Sequence, residues 1–372
     1  MIVQWIVPQQ VFHDGALHSD VALHIIDGVI SAIVPLSDVP DSANAEHMAG
    51  IICPGFIDLQ VNGGGGVLLN HAPNLQGIRA IIAAHRGLGT TAIMPTVITD
   101  THDVIAAAAD AAIKAKDDAG FAGLHIEGPH ISMAKRGTHD PRHIRPMDNA
   151  TMGVIAKLCD ANVKVMITVA PEAISLAQIT ALAEMGAIVS IGHTNATSND
   201  VAAAFEAGAT VATHLFNAMS PMEGRAAGTV GAVINATAYA GIICDGHHVS
   251  DEMIGLAIRA RPVRDRMFLV SDAMPTVGGP DSFTLYDQEI QLIEGKLVNA
   301  DGNLAGAHVT MAEGLARLVS RVGLPPEEAL KMAITVPASV IGRPDLDQVT
   351  GRNVTDLIVL NDRCQMVDRL KR

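Results

Sequence analysis

Eight short apolar runs rich in β-branched residues recur along the chain, near residues 51–60, 91–97, 121–127, 163–169, 187–193, 209–214, 240–244 and 267–272. Segments of helical periodicity separate them. Two of these linkers, Thr101–Asp117 and Ser175–Gly186, are Ala-rich and amphipathic. They open on the N-cap residues Thr101 and Ser175, and the second stops at Gly186. A strand, a crossover helix and a further strand pair in parallel with one handedness, so the C-termini of all such strands share one edge of the sheet. Eight units of this kind within about 220 residues predict an α/β fold, a TIM-like (β/α)8 barrel rather than an open sheet.

Residues 1–50 carry short alternating apolar runs, Val21–Ile26 and Val29–Val34, around the turn residues Asp27-Gly28, and show no helical pattern. Strand character returns in Asp356–Asn361. The β-rich ends are therefore expected to pair into a small β-sandwich domain, 1–50 plus 345–372, beside a barrel spanning 51–344. After the eighth run, a hairpin-like stretch near 283–302 reads as an insertion, and helices are expected over Thr310–Val322 and Pro326–Ile341.

Composition removes several function classes. With 372 residues, 49% of them hydrophobic and 17% charged, the chain has material for one large core and one smaller core. The formal charge of −14, with no Lys/Arg run or interleaved aromatic patch, argues against a nucleic-acid partner. The opening MIVQWIVPQQ lacks a positive stretch and is broken by Pro8, so neither a signal peptide nor a membrane partner is expected. The four cysteines, Cys53, Cys159, Cys244 and Cys364, form no CxxC pair and read as reduced packing residues of a cytoplasmic protein.

In such a barrel the chemistry sits where strands end. The third run ends in His125-Ile126-Glu127-Gly128-Pro129, the fifth on His193, the sixth on His214, and the eighth in Ser271-Asp272-Ala273. A lone histidine after an apolar run is ordinarily a packed or loop residue, and a lone Glu127 or Asp272 serves as readily as a cap or turn residue. Four chemically matched residues at the same place in successive repeats are instead the pattern of a catalytic metal site. Glu127, His193 and His214 supply three N/O ligands for one divalent ion with an open position for water, and Asp272 is the expected general base. His125, two residues before Glu127 on the same strand face, reads as packing. The glycines of Asn62–Gly66 lack the Lys and Ser/Thr of a phosphate loop and read as a tight turn.

The ordered set PGFIDLQVNGGGG (54–66), GLHIEGPHIS (123–132), KRGTHDP (135–141), VAPE (169–172), GHTNAT (192–197), ATHLFNAM (212–219), CDGHHV (244–249), VSDAM (270–274) and LAGAHVTMAEG (304–314) resembles the N-acetylglucosamine-6-phosphate deacetylase family of the amidohydrolase superfamily. The likeness runs from Ile51 to Gly342, with weaker cover at both ends. It implies hydrolysis of the acetamide of N-acetyl-D-glucosamine 6-phosphate to D-glucosamine 6-phosphate and acetate. Glu127, His193 and His214 would bind the ion, zinc being the first expectation and Fe2+, Co2+ or Mn2+ the others. Asp272 would accept a proton and then donate it.

The same resemblance implies that His139 polarises the acetyl carbonyl, and that Thr138, His139, Asn217, Ala218, Arg225 and His248 contact the small-molecule amino sugar phosphate. Leu304, Ala305 and Gly306 would line the site. Many amidohydrolases carry His-x-His at the end of the first strand and hold two metals. This chain has Gln60 and Asn62 there, which are poor metal ligands, so the second-metal position is expected to be vacant. Arg225 is implied to cross a homodimer interface to the neighbouring site. N-acetylgalactosamine-6-phosphate deacetylation would use nearly the same residues. A barrel that only binds or assembles is the other alternative, and the joint presence of Glu127, His193, His214 and Asp272 argues against it.

Overall fold

The computed structural model describes residues 2–300, 302 and 304–370. Met1, Lys371 and Arg372, at the extremes of the segments expected to form the small domain, lie outside the described residues, as do Asp301 of the expected 283–302 insertion and Asn303. Eight parallel strands hydrogen-bond in sequence order: β1 (Phe56–Val61), β2 (Thr90–Ile98), β3 (Leu124–Glu127), β4 (Val165–Val169), β5 (Ile188–Ile191), β6 (Val211–Ala212), β7 (Tyr239–Ile243) and β8 (Met267–Val270). Helices cover the outside and side chains fill the inside, so these strands are buried on both faces and their sequences are mostly apolar, with a few buried polar residues such as Asp58, Gln60 and Thr168.

β1 and β8 close the ring through one bridge, Val61 to Ala273. Asp272 N donates to Gln60 O at 3.0 Å there, and Asn62 N donates to Ala273 O at 2.9 Å. Asp58, fully buried, reinforces the seam by accepting from Gln60 N, Ser271 N and Ser271 Oγ. Burial pushes the Asp58 pKa up to about 7 in spite of those donors.

The linking helices begin where side chains satisfy their free N–H groups. Thr101 accepts from Val104 N, and Ser175, Thr197 and Thr310 form reciprocal capping boxes with Gln178, Asp200 and Glu313. Gly186 supplies the left-handed conformation (φ +93°) after its helix. Both expected C-terminal helices contain a π-helical turn, at Leu318–Val322 and Lys331–Thr335. Among the described residues no helix is long and apolar enough to cross a membrane.

The first apolar run is divided between two sheets. Its N-terminal part belongs to Ala45–Pro54, a strand of the satellite sheet, and β1 starts after Gly55, where a Cβ would lie 2.2 Å from Thr91 Cγ2. The satellite is one seven-stranded sheet from both chain ends, in the order Met366–Arg369, Leu357–Leu360, Ala45–Pro54, Val3–His13, Val21–Ile26 and Val29–Pro35, with Ala16–His18 paired to Val3–His13. Asp27 (φ +49°) and Gly28 (φ +80°) form the tight turn between two of its strands. Its core gathers Ile6, Leu23, Ile25, Ile52, Leu357 and Val359.

The insertion is larger than a hairpin. Four antiparallel strands, Ser282–Leu285, Gln288–Ile293, Lys296–Val298 and Leu304–Ala307, form a separate meander. Leu285, Ile290, Leu297 and Ala305 pack it on Leu68, Ile98 and Met274 at the barrel mouth, and Ala307 N donates to Asp272 O at 3.0 Å. The meander's last strand is thus tied to the loop that carries the expected base.

Candidate metal centre and active site

Glu127 closes β3, and His193 and His214 lie just beyond the ends of β5 and β6. Their donor atoms converge. His193 Nε2 lies 3.1 Å and His214 Nε2 3.0 Å from Glu127 Oε1, and the two ring nitrogens are 3.1 Å apart. All three side chains are at least nine-tenths buried. His193, His214 and Asp272 have positive φ (+47°, +26° and +53°), a conformation that bulky residues seldom adopt and that concentrates at functional sites. Gly192 lets the chain enter this turn, because a Cβ there would sit 2.8 Å from Thr213 Cβ.

The protonation pattern tests whether a cation fits. His193 Nδ1 lies 2.9 Å from Lys135 O, an acceptor only, so Nδ1 carries a proton and, in the neutral ring, Nε2 turns a lone pair toward Glu127. A lone pair facing a carboxylate, with a second imidazole nitrogen beside both, is repulsive unless positive charge lies among them. Burial opposes charge on His214, yet Glu127 beside it outweighs burial and holds that imidazole's pKa above its ordinary value. Burial alone would raise the Glu127 pKa, but the two histidines hold it well below the usual carboxylate range. The trio thus favours positive charge at its centre, and its N/N/O donors suit a divalent ion.

A ring nitrogen of His139 also falls within 4.8 Å of donor atoms of Glu127 and His193, and its ring centroid is 4.4 Å from that of His193. Burial keeps His139 neutral, with a pKa pushed down to about 3. Its Nδ1 is 2.7 Å from Thr99 Oγ1, whose hydroxyl otherwise reaches only Glu127 O at 3.4 Å. The shorter contact fixes the orientation of the ring beside Glu127 and His193.

Gln60 and Asn62 turn their amide nitrogens on the carboxylates. Gln60 Nε2 lies 3.1 Å from both Glu127 oxygens and from Asp272 Oδ1, and Asn62 Nδ2 donates to Asp272 Oδ1 at 2.7 Å. Burial, with Glu127 nearby, raises the Asp272 pKa to about 6. Asp272, His139, His214, Asn217, Ala218 and His248 line a cavity of about 190 Å3, together with Thr138, Leu304 and Gly306. His248 Nδ1 lies 2.6 Å from Asp245 Oδ2, which leaves its Nε2 for a ligand.

The Amidohydrolase family matches residues 51–369. The chain belongs to this family. It is 38% identical to an N-acetylgalactosamine-6-phosphate deacetylase of Shewanella sp. (strain ANA-3), over 95% of this chain and 91% of that one. It is 34% identical to the N-acetylglucosamine-6-phosphate deacetylase of Haemophilus influenzae, over 94% and 92%. The crystal structure of N-acetylglucosamine-6-phosphate deacetylase from Pasteurella multocida superposes with a TM-score of 0.89 at 33% identity, covering 98% of this chain and 97% of that one. The amidohydrolase superfamily is metal-dependent, in keeping with the donor set at the mouth of this barrel.

Two expected residues do not line the cavity. Ala305 is fully buried in the packing of the meander. Arg225 is exposed at the tip of a tight turn closed by Glu223 N to Ala226 O (2.7 Å), and among the described residues it pairs with no carboxylate, Glu223 included. Conversely, His125 is more than packing. Its ring nitrogens reach Leu59 O (3.1 Å) and Thr168 Oγ1 (2.8 Å), and Thr168, Thr213 and Ser190 continue a hydroxyl chain with steps of 2.7 and 2.6 Å beneath the histidines. The polar residues inside otherwise apolar strands, Thr168 and Ser190, are the trace of this layer in the sequence.

Proposed function

We propose that the chain hydrolyses the acetamide of N-acetyl-D-glucosamine 6-phosphate to D-glucosamine 6-phosphate and acetate, as an enzyme of amino sugar catabolism in the cytoplasm. The observation that carries this reading is the Glu127–His193–His214 triangle with Asp272 across the same cavity, in a chain similar throughout its length to deacetylases of amino sugar phosphates. Glu127, His193 and His214 would hold one ion, zinc by the donor set, which when bound supplies a Lewis acid for amide hydrolysis. Asp272 takes the proton that water loses on adding to the acetyl carbon and passes it to the amine nitrogen as the C–N bond breaks. Gln60 and Asn62 fix Asp272 Oδ1, so Oδ2 is the oxygen left for that transfer. His139 polarises the acetyl carbonyl as negative charge develops on its oxygen. His248, Asn217, Ala218 and Thr138 hold the sugar phosphate.

The Shewanella relative favours a second reading, the galactosamine epimer. The two sugars differ only in the configuration of the C4 hydroxyl. Measuring kcat/KM for both N-acetylhexosamine 6-phosphates decides between them, and the glucosamine reading expects a preference of about tenfold or more for the gluco epimer. The reverse preference would transfer the assignment to the galacto epimer, and no release of acetate from either by the zinc-loaded protein would remove the deacetylase reading.

The place of Arg225, outside its own cavity, supports a two-fold dimer in which this guanidinium reaches the partner's substrate phosphate. Arg225→Ala and Asp272→Asn chains, each nearly inactive, are to be unfolded, mixed equally and refolded. Half the dimers are then mixed with one intact site each, so about a quarter of wild-type activity is expected to return. Confirmed mixed dimers without recovery would end the trans assignment.

A further inference from the structure

The floor of the barrel carries a second cavity that the proposed reaction does not use. Helix Asp251–Ala260 ends there, and the chain leading into β8 reads Arg259-Ala260-Arg261-Pro262-Val263-Arg264-Asp265-Arg266, a basic segment in a protein of net charge −14. With Glu327, Glu328 and Lys331 from the C-terminal helices, this segment lines a cavity of about 510 Å3, within the size range of small-molecule sites. Met267, the first residue of β8, lies in its wall, whereas Asp272 follows the other end of that strand. The two cavities therefore open on opposite faces.

Cations outnumber acids around this cavity, and pairing leaves the arginines over. Lys331 serves two of the acids, lying 3.9 Å from Asp265 and 3.6 Å from Glu327, whose other oxygen accepts from Leu17 N at 3.1 Å. Arg261, only 8% exposed, donates to the carbonyls of Val233 (2.9 Å), Ala236 (3.2 Å) and Ala238 and meets no carboxylate. Its buried Nε has no hydrogen-bond partner. Arg266 lies over the Tyr239 ring, 4.3 Å from the centroid, and its charge opposes that of Arg261. Arg259 and Arg264 are exposed and have no carboxylate partner among the described residues. A buried guanidinium held only by carbonyls, with like charges beside it, is relieved by an anion brought among them.

We propose that this cavity is a second anion site, taking the phosphate group of a small phosphorylated metabolite at the barrel floor. Guanidinium forks match phosphate oxygens in pairs, and the three acids on the wall accept hydrogen bonds from hydroxyls on the same ligand, which selects a sugar phosphate over a bare acid. The site is independent of which sugar the catalytic mouth deacetylates.

Inorganic phosphate is the probe, titrated calorimetrically into the metal-loaded enzyme and into the Arg259→Ala/Arg264→Ala variant. Both side chains are exposed and outside the catalytic cavity, so wild-type kcat and metal content certify the variant's fold. Any phosphate held at the catalytic mouth contributes equally to both titrations. The variant is expected to lose one phosphate-binding event, or to weaken it by about tenfold, and that event in the wild-type enzyme should weaken as sodium chloride is raised. Superimposable titrations for the two proteins would overturn the site. So would a variant with unchanged phosphate binding and an altered oligomeric state, which would make this face a contact between subunits.

Discussion

Asp272→Asn is expected to lower kcat by about 10²-fold or more, a loss of at least about 2.7 kcal/mol of transition-state stabilisation, with little change in KM. The asparagine has nearly the volume of the aspartate and can still accept from Asn62 Nδ2 through Oδ1, so the seam between β1 and β8 survives. It removes the carboxylate placed in the cavity to accept a proton and give it back. Steady-state kinetics with metal-loaded protein make the check, and circular dichroism and metal content should match the wild type. A variant with near wild-type turnover would put the base elsewhere. His139, whose pKa burial pushes down to about 3, is too weak a base to be an equivalent substitute.

The parts of this molecule that could be read from its sequence are those where local pattern and tertiary role coincide. The barrel strands are buried on both faces and so announce themselves as mostly apolar runs, and a residue at a strand's C-terminal end is at the mouth wherever the helices lie. Glu127, His193, His214 and Asp272 were legible for that reason. Their mutual distances were not, nor were the positive φ values of three of them, because both depend on strands brought together from distant parts of the chain.

The boundary at Gly55 was hidden for a related reason. Ile51–Pro54 and Phe56–Val61 are both strand-like and fully buried, and their pairing partners, Leu357–Leu360 on one side and β2 on the other, assign them to different sheets. The meander reads as one hairpin in the sequence because its last strand, Leu304–Ala307, is LAGA, with no polar residue to mark alternation, and lies beyond the 283–302 stretch. The arginines of 259–266 were lost in the composition. Averaged over 372 residues the chain is acidic, and the basic segment, interrupted by Ala260, Pro262, Val263 and Asp265, forms no unbroken Lys/Arg run.

The second large effect concerns the ion itself. His214→Ala should leave the protein with less than about a tenth of the wild-type metal after exhaustive dialysis, and with no measurable deacetylation. Glu127 Oε1, His193 Nε2 and His214 Nε2 stand 3.0–3.1 Å from one another, so deleting one corner leaves an imidazole and a carboxylate already engaged by Gln60 Nε2. Two such donors hold a divalent ion far more weakly than three, and metal retention rather than fold stability is the sensitive readout. The wild-type protein should retain close to one ion per chain. A second would have to approach Asp272 and Glu127 where the Gln60 and Asn62 amides already donate, and amide N–H groups repel a cation where histidines would bind it. Two ions per chain surviving dialysis would refute that account of the first strand, and full retention by His214→Ala would move the third ligand to His139, the other imidazole beside Glu127 and His193.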